Sequence, residues 1–283
     1  MKRESEVVTK TLFRFVKQVA SLAQKYCDAG LAKVSDPSGY GFDGWKHVVL
    51  HYLRVHREAT YVEVVDLASE MDRVRRLLGL SRYEFPAPST LCRSFDRAPM
   101  SVWRALFNRS SELLQHSGHA AVDSTYFDRW QASPHYLRRT GRSVETLKIT
   151  FLVDTAEQAI LDVHCSAKWP NDAVIGPKIA ARNAEKLESL SADKGYDSAA
   201  FRDQLRDSGV RPLVKHRLYL PIDHAHNARL DDERYNKRAL TETVNSSVKR
   251  SILESVSSRA WYRQFREIVL VASVYNVKRA IQP

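Results

Sequence analysis

Cysteine is scarce in this chain. Its 283 residues include three, Cys27, Cys92 and Cys165. They lie far apart with no CxxC pair, which argues against a disulfide framework and against a thiolate zinc site. They read instead as small buried hydrophobes of a reducing compartment. Long apolar runs are also lacking. The longest, IVLVAS at 268–273, is far too short to span a bilayer. The N-terminal MKRESEVVTK has no apolar signal core. A cytoplasmic location with no membrane partner is therefore expected. There is no internal repeat and no low-complexity tract, which leaves one large domain or two modest ones. Acid is in short supply: 33 Asp and Glu face 44 Lys and Arg, a formal charge of +11. Such a surplus points to a polyanionic partner, and nucleic acid is the commonest.

What is present can build a core, with 43% hydrophobic and 10% aromatic residues. Residues 1–117 read as helical. Leu12, Phe13, Phe15, Val16, Val19, Leu22, Ala23 and Tyr26 recur at helical spacing, and SDPSGYGFDG at 35–44 is a loop. Another helix is expected at 45–55. Thr60 and Glu63 form a capping box for the next. After Pro86 and Pro88, Ser89 or Thr90 is expected to cap a short helix exposing Arg93 and Arg97, and Ser101 to cap another. This pattern suits a helix-turn-helix reader of DNA, and equally plain helical packing.

At Gly118 the texture changes. HAAVDST is a short strand ending at an acid, and TLKITFLVDT and AILDVHCSAK form a hairpin. A helix at 172–184, a strand running into ADKGYDS, a helix capped by Ser198 and a last strand at 211–215 follow. The stretch 216–232 reads as polar and irregular. Helices at 233–256 and 259–280 close the chain. This order predicts an α/β region, 118–283, with a mixed sheet and flanking helices behind the all-helical 1–117.

Two acids, Asp123 and Asp193, end strands, where ligand sites of open α/β sheets lie. Converging carboxylates repel unless they share a proton or a cation, and hard oxygens suit Mg²⁺ or Mn²⁺. Glu242, on a helix laid across the sheet, would complete a two-metal site for phosphoryl transfer. Tyr235, Arg238, Glu242 and Lys249 fall within roughly 60° of one face of a continuous helix. There the cations would grip phosphates, and Tyr235 would pack on a backbone or a displaced base. Each acid also has a plainer reading as a turn residue or surface ion pair, and Asp128, Asp154, Asp197 and Glu254 are rival ligands. The loop RWQASPHYLRRTGR brings Arg129, Arg138, Arg139 and Arg142 close to Asp123. It would track phosphates, with Trp130 and Tyr136 for stacking, or serve only as a solvated hairpin. Trp169 reads as core, and the HxH of His224 and His226 beside Asp223 as ordinary surface.

Taken together, these residues resemble the DDE transposases of the IS4 and IS5 insertion-sequence families. Tyr235-x2-Arg238-x3-Glu242-x6-Lys249 matches the spacing of their YREK signature, preceded in order by Asp123 in VDST and Asp193 in ADKGYDS. The resemblance covers about residues 60–283 and is loose before 85. It implies a ribonuclease H-like catalytic domain at 118–283 and two divalent ions held by Asp123, Asp193 and Glu242. Tyr235, Arg238 and Lys249 would contact DNA. The activity would be cleavage at the element ends followed by strand transfer into target DNA, with a homodimer assembled on the duplex. The gap from Lys215 to Glu233 is too short for the inserted β-domain of larger relatives. Two rivals stand beside this reading: a ribonuclease H-like nuclease that cuts without joining, and an inactive or host-adopted DNA-binding protein.

Overall fold

The computed structural model describes residues 10–28, 42–129, 139, 146–253 and 255–282. The chain divides into two compact units, Met1–Leu113 with Val269–Pro283, and Leu114–Ile268.

The first unit is helical: α1 (Lys10–Asp28), α2 (Gly44–His56), α3 (Tyr61–Glu70), α4 (Asp72–Leu78), α5 (Pro88–Arg97) and α6 (Met100–Ser111). The capping box ahead of α3 is formed. Thr60 N donates to Glu63 Oε2 at 2.7 Å, and Glu63 N donates to Thr60 Oγ1 at 3.2 Å. The starts of α5 and α6 differ from expectation. Ala87 and Pro99 occupy the N-cap positions, and neither Ser89, Thr90 nor Ser101 does. Pro88 at the first helical turn explains the shift of α5, since its fixed φ suits that position and its missing N–H costs nothing there. Arg93 and Arg97 are exposed on α5. The core gathers Leu50, Leu53, Phe95, Trp103 and Phe107. Val269–Ala280, the second half of α12 (Trp261–Ala280), belongs to this unit, and the Tyr52 hydroxyl meets Ser273 Oγ at 2.6 Å. No helix among the described residues is long and apolar enough to cross a membrane.

The second unit is built on five strands: β1 (His119–Asp128), β2 (Thr146–Asp154), β3 (Ile160–Ser166), β4 (Ser189–Ala192) and β5 (Arg211–Val214), in the order β3-β2-β1-β4-β5. β1–β2 and β2–β3 are antiparallel; β1–β4 and β4–β5 are parallel. This is the expected mixed sheet with flanking helices. One face packs on α7 (Asp172–Asn183) and α8 (Ala199–Asp207). Ala120, Val122, Leu152, Leu190 and Val214 from the sheet meet Ile175, Ile179, Phe201 and Leu205 there. Across the other face runs α11 (Ala239–Ser251).

Three further details depart from the sequence expectation, the first being that β1 does not end at Asp123 but pairs with β2 on to Asp128. Residues 216–232 hold a helix, α9 (Pro221–Ala228), and the helix expected at 233–256 is two: α10 (Asp232–Asn236) and α11. The break at Lys237–Arg238 is a tight turn, with Arg238 N donating to Tyr235 O at 3.1 Å and Leu240 N to Lys237 O at 3.0 Å. It swings Tyr235 inward, where its ring is 5% exposed. A single continuous helix would have kept it on the same arc as Glu242.

Candidate active site

Parallel pairing of β1 with β4 sets the site. Val122 is registered with Ala192, so the next positions, Asp123 and Asp193, stand side by side where β4 ends. Adjacent strands lie about 4.8 Å apart, so two aspartates far apart in sequence become neighbours. Alternation along β1 sends Asp123 to the face opposite Val122 and Ser124. That face is crossed by α11, and Asn245 Nδ2 donates to Asp123 Oδ2 at 3.1 Å. Glu242 lies one helical turn earlier on α11, with its side chain 68% exposed and an oxygen 3.9 Å from an Arg238 guanidinium nitrogen.

Electrostatics tie the acids together. Burial pushes the Asp123 carboxyl up to about 6; the Ser124 backbone N–H opposes this, while the nearby charges of Asp193, Glu242 and Asp172 raise it further. Asp193 sits at the mouth of the one-turn helix 194–196, its Oδ1 accepting from Gly195 N at 2.6 Å. A Cβ at position 195 would lie 2.8 Å from that oxygen, so glycine leaves room for the carboxylate to fold over the turn. Among the described residues no group of three His, Cys, Asp or Glu is clustered tightly enough to hold a metal ion. Asp123 and Asp193 are instead held by Asn245 and Gly195, and Glu242 stands nearest Arg238.

The rival acids have other partners. Asp197 is bound by Arg202 at 2.6 Å and by Arg217 N at 2.7 Å. Burial works against its charge, yet those donors hold it below the usual carboxylate range. Asp154 closes the β2–β3 hairpin, accepting from Ala156 N and Glu157 N, both at 2.9 Å. Asp128 ends β1, where its carbonyl accepts from Val256 N at 2.8 Å. Glu254 lies outside the described residues. Asp223 caps α9, taking Tyr219 N and Leu220 N, and pairs with His216; the His226 ring lies tilted against His216, centres 3.9 Å apart.

The signature residues have distinct settings. Tyr235 is overlaid by the Lys215 ammonium at 4.5 Å and the Arg238 guanidinium at 5.2 Å from its ring centre. Lys249, half-buried, lies 5.5 Å from the ring centre of Phe127, which shares a face of β1 with Asp123. Arg129 Nε donates to Gln264 at 3.1 Å, and Arg139 is exposed. Arg138, Arg142, Trp130 and Tyr136 lie outside the described residues. Trp169 is not core: it is 66% exposed and meets Tyr126 edge-on at 5.9 Å.

Sequence reasoning missed two groups. Asn245 stands three residues after Glu242, so helical spacing alone could have placed it on the acid's face. The buried Lys148, paired with Asp172 at 2.9 Å beside Ser124 and Tyr196 on the far side of β1, left no such trace.

No curated protein matches the chain. Its fold is similar to that of a piggyBac transposase in a cryo-EM synaptic complex with hairpin DNA. The TM-score is 0.50 at 9% identity, over 94% of this chain and 73% of that one. Residues 115–277, which hold every strand of the sheet and both the neighbouring aspartates and α11, match the family described as transposase DDE domain. With more than half of its length inside that match, the chain belongs to the family of transposase DDE domains.

Proposed function

We propose that this chain cuts DNA at the ends of an insertion sequence of the IS4/IS5 type and joins those ends to target DNA, with Asp123, Asp193 and Glu242 as its catalytic acids. The observation that carries this is the β1–β4 register, which sets Asp123 beside Asp193 under the helix bearing Glu242 and Asn245. The donor set fits hard divalent cations. Burial first, and then the charges of Asp193, Glu242 and Asp172, raise the cost of ionising Asp123, and shared cations relieve such repulsion. Among the described residues the buried Oδ1 of Asn245 also has no hydrogen-bond partner. Asp123, Asp193 and Glu242 would hold two Mg²⁺ or Mn²⁺ ions, which supply activation of the attacking oxygen and neutralise charge on the leaving one.

The chain's own groups bind and orient. Arg238, beside Glu242 and backed by Tyr235, reaches for phosphate when DNA displaces its weak ion pair. Tyr235 acts from beneath by fixing Arg238. Lys249, over the Phe127 ring, would meet a phosphate further along β1. Arg129, Arg138, Arg139 and Arg142 track the DNA backbone, Arg93 and Arg97 contact the duplex from the helical region, and a homodimer pairs the two element ends. Mg²⁺-dependent cleavage of duplexes carrying the flanking inverted repeats tests this directly. The wild type should cleave and Asp193→Asn should not, while both shift the duplex in a gel. Equal rates for the two proteins, or cleavage by neither, would remove the catalytic assignment. Pre-cut ends that never appear joined to target DNA would reduce the activity to nuclease alone.

A further inference from the structure

A polar cluster lies beneath the candidate site, on the sheet face that α7 covers. Lys148 on β2 is 5% exposed. Its ammonium donates to Asp172 Oδ1 at 2.9 Å and to the Pro170 carbonyl at 2.8 Å. The same Asp172 oxygen accepts from Ser124 Oγ at 2.6 Å and from the Tyr196 hydroxyl at 3.3 Å. Ser124 has one hydroxyl proton to give, and Asp172 takes it. The buried Thr150 hydroxyl, 2.9 Å away, is then the donor to Ser124. One carboxylate oxygen therefore gathers side chains from β1, β2 and the one-turn helix 194–196.

Stability alone gives little reason for such a cluster. Replacing a buried ion pair by apolar side chains of similar volume is often neutral or stabilising. What the cluster holds is geometry. Ser124 directly follows Asp123, and Tyr196 lies three residues after Asp193. β4 ends at Ala192, so the strand ladder stops short of Asp193. Side chains fix the turn behind it instead. The Tyr196 ring seats that turn on α7, so closely that a Cβ at Gly176 would stand 2.7 Å from it. Its hydroxyl then reaches the oxygen that also holds Ser124. The backbones that carry the two candidate acids thus share one anchor. Asp172 is itself placed by Lys148 and by the first turn of α7, which Asn171 caps.

We propose that Asp172 is a positioning residue: clamped by Lys148, it ties Ser124 to Tyr196 and so sets the spacing at which Asp123 and Asp193 receive a divalent cation. This rests on the catalytic reading above. Asp172 acts through Ser124 and Tyr196 and touches neither the cation nor the DNA.

The test separates spacing from stability. Lys148→Met/Asp172→Leu removes both charges together, so no buried charge is left unpaired and the melting midpoint should stay close to that of the wild type. Ser124→Ala leaves the ion pair whole and cuts only the tie to β1. Mn²⁺ is titrated into the full chain without DNA, and the free ion is followed by its electron paramagnetic resonance signal. The binding counted is the part that Asp193→Asn loses. Its affinity should fall by about 10- to 100-fold in the double variant, the usual effect of losing a group that orients metal-binding side chains, and several-fold in Ser124→Ala. Single-turnover cleavage at saturating Mg²⁺ should fall alongside, with gel-shift affinity unchanged. Variants that keep the wild-type Mn²⁺ affinity and cleavage rate overturn the positioning role and leave the catalytic reading intact. If the double variant does not fold, Ser124→Ala decides alone. A wild-type chain that neither binds Mn²⁺ nor cleaves removes the catalytic reading itself, and the positioning role falls with it.

Discussion

Gly176→Ala tests how tightly the candidate site is supported from below. Gly176 lies inside α7, where alanine would ordinarily stabilise a helix by about 0.5–1 kcal/mol. The fold forbids the gain. A Cβ at 176 would stand 2.7 Å from Tyr196 Cδ1, about 0.7 Å short of the 3.4 Å where ordinary contact begins. The obstacle is a ring carbon of a side chain that is 1% exposed, locked among Phe201 and the sheet. Overpacking of this kind costs about 1–3 kcal/mol, so the net loss is about 0–2.5 kcal/mol. For a unit the size of 114–268, each kcal/mol moves the melting midpoint by about 2–4 °C, so a fall of a few degrees is expected. Tyr196 also closes the turn that starts at Asp193, so cleavage should slow together with the melting shift. The assay is thermal melting of the single variant and of Gly176→Ala in a Tyr196→Leu background. In that background the ring is gone, and alanine should be neutral or stabilising. If Gly176→Ala raises the midpoint equally in both backgrounds, the argument from Tyr196 fails.

Other expectations follow from single contacts. Asn245→Ala removes the donor to Asp123; hydrogen bonds to charged groups contribute about 1.5–3 kcal/mol, so single-turnover cleavage should fall by about 10- to 100-fold. Gel-shift affinity should not change, and unchanged cleavage would dismiss Asn245 as a positioning residue. His56 stacks on Phe15 at 4.2 Å, and burial first, then Lys278 and Arg57, lower its pKa from 6.5 to about 4. The unfolded chain then binds the extra proton between those values. Its contribution to stability is present above pH 6.5 and is lost as pH falls toward 4. Urea midpoints at pH 7 and pH 5 should differ less for His56→Phe than for the wild type. Arg139→Ala should lower the slope of log affinity against log salt by about 0.9 with no change of sequence preference, and an unaltered slope would remove it from the phosphate contacts.

Much of the second unit was legible because its signals are local. The apolar runs before Asp123 and Asp193, the tight hairpin turn and the capping box of α3 depend on neighbours within a few residues, and each forms, although β1 continues past Asp123 to Asp128. The start of α5 was misplaced because proline at its first turn outweighed a nearby hydroxyl, and α6 starts at Met100 directly behind Pro99. The single helix expected at 233–256 failed because burying Tyr235 under Lys215 requires a turn, and Lys215 is twenty residues away in sequence. Trp169 was misjudged as core because composition cannot tell which face of a strand end is covered.

Sequence by itself determined the strand and helix texture, the surplus of positive charge and the set of acids from which a site could be drawn, since all of these reside in residue type and short spacing. Tertiary structure alone decided which acids meet. The β1–β4 register chose Asp123 with Asp193, Arg202 and the hairpin turn claimed Asp197 and Asp154, and the path of α11 brought in Asn245. Register and crossing are set by packing between segments distant in the chain, and no local pattern encodes them.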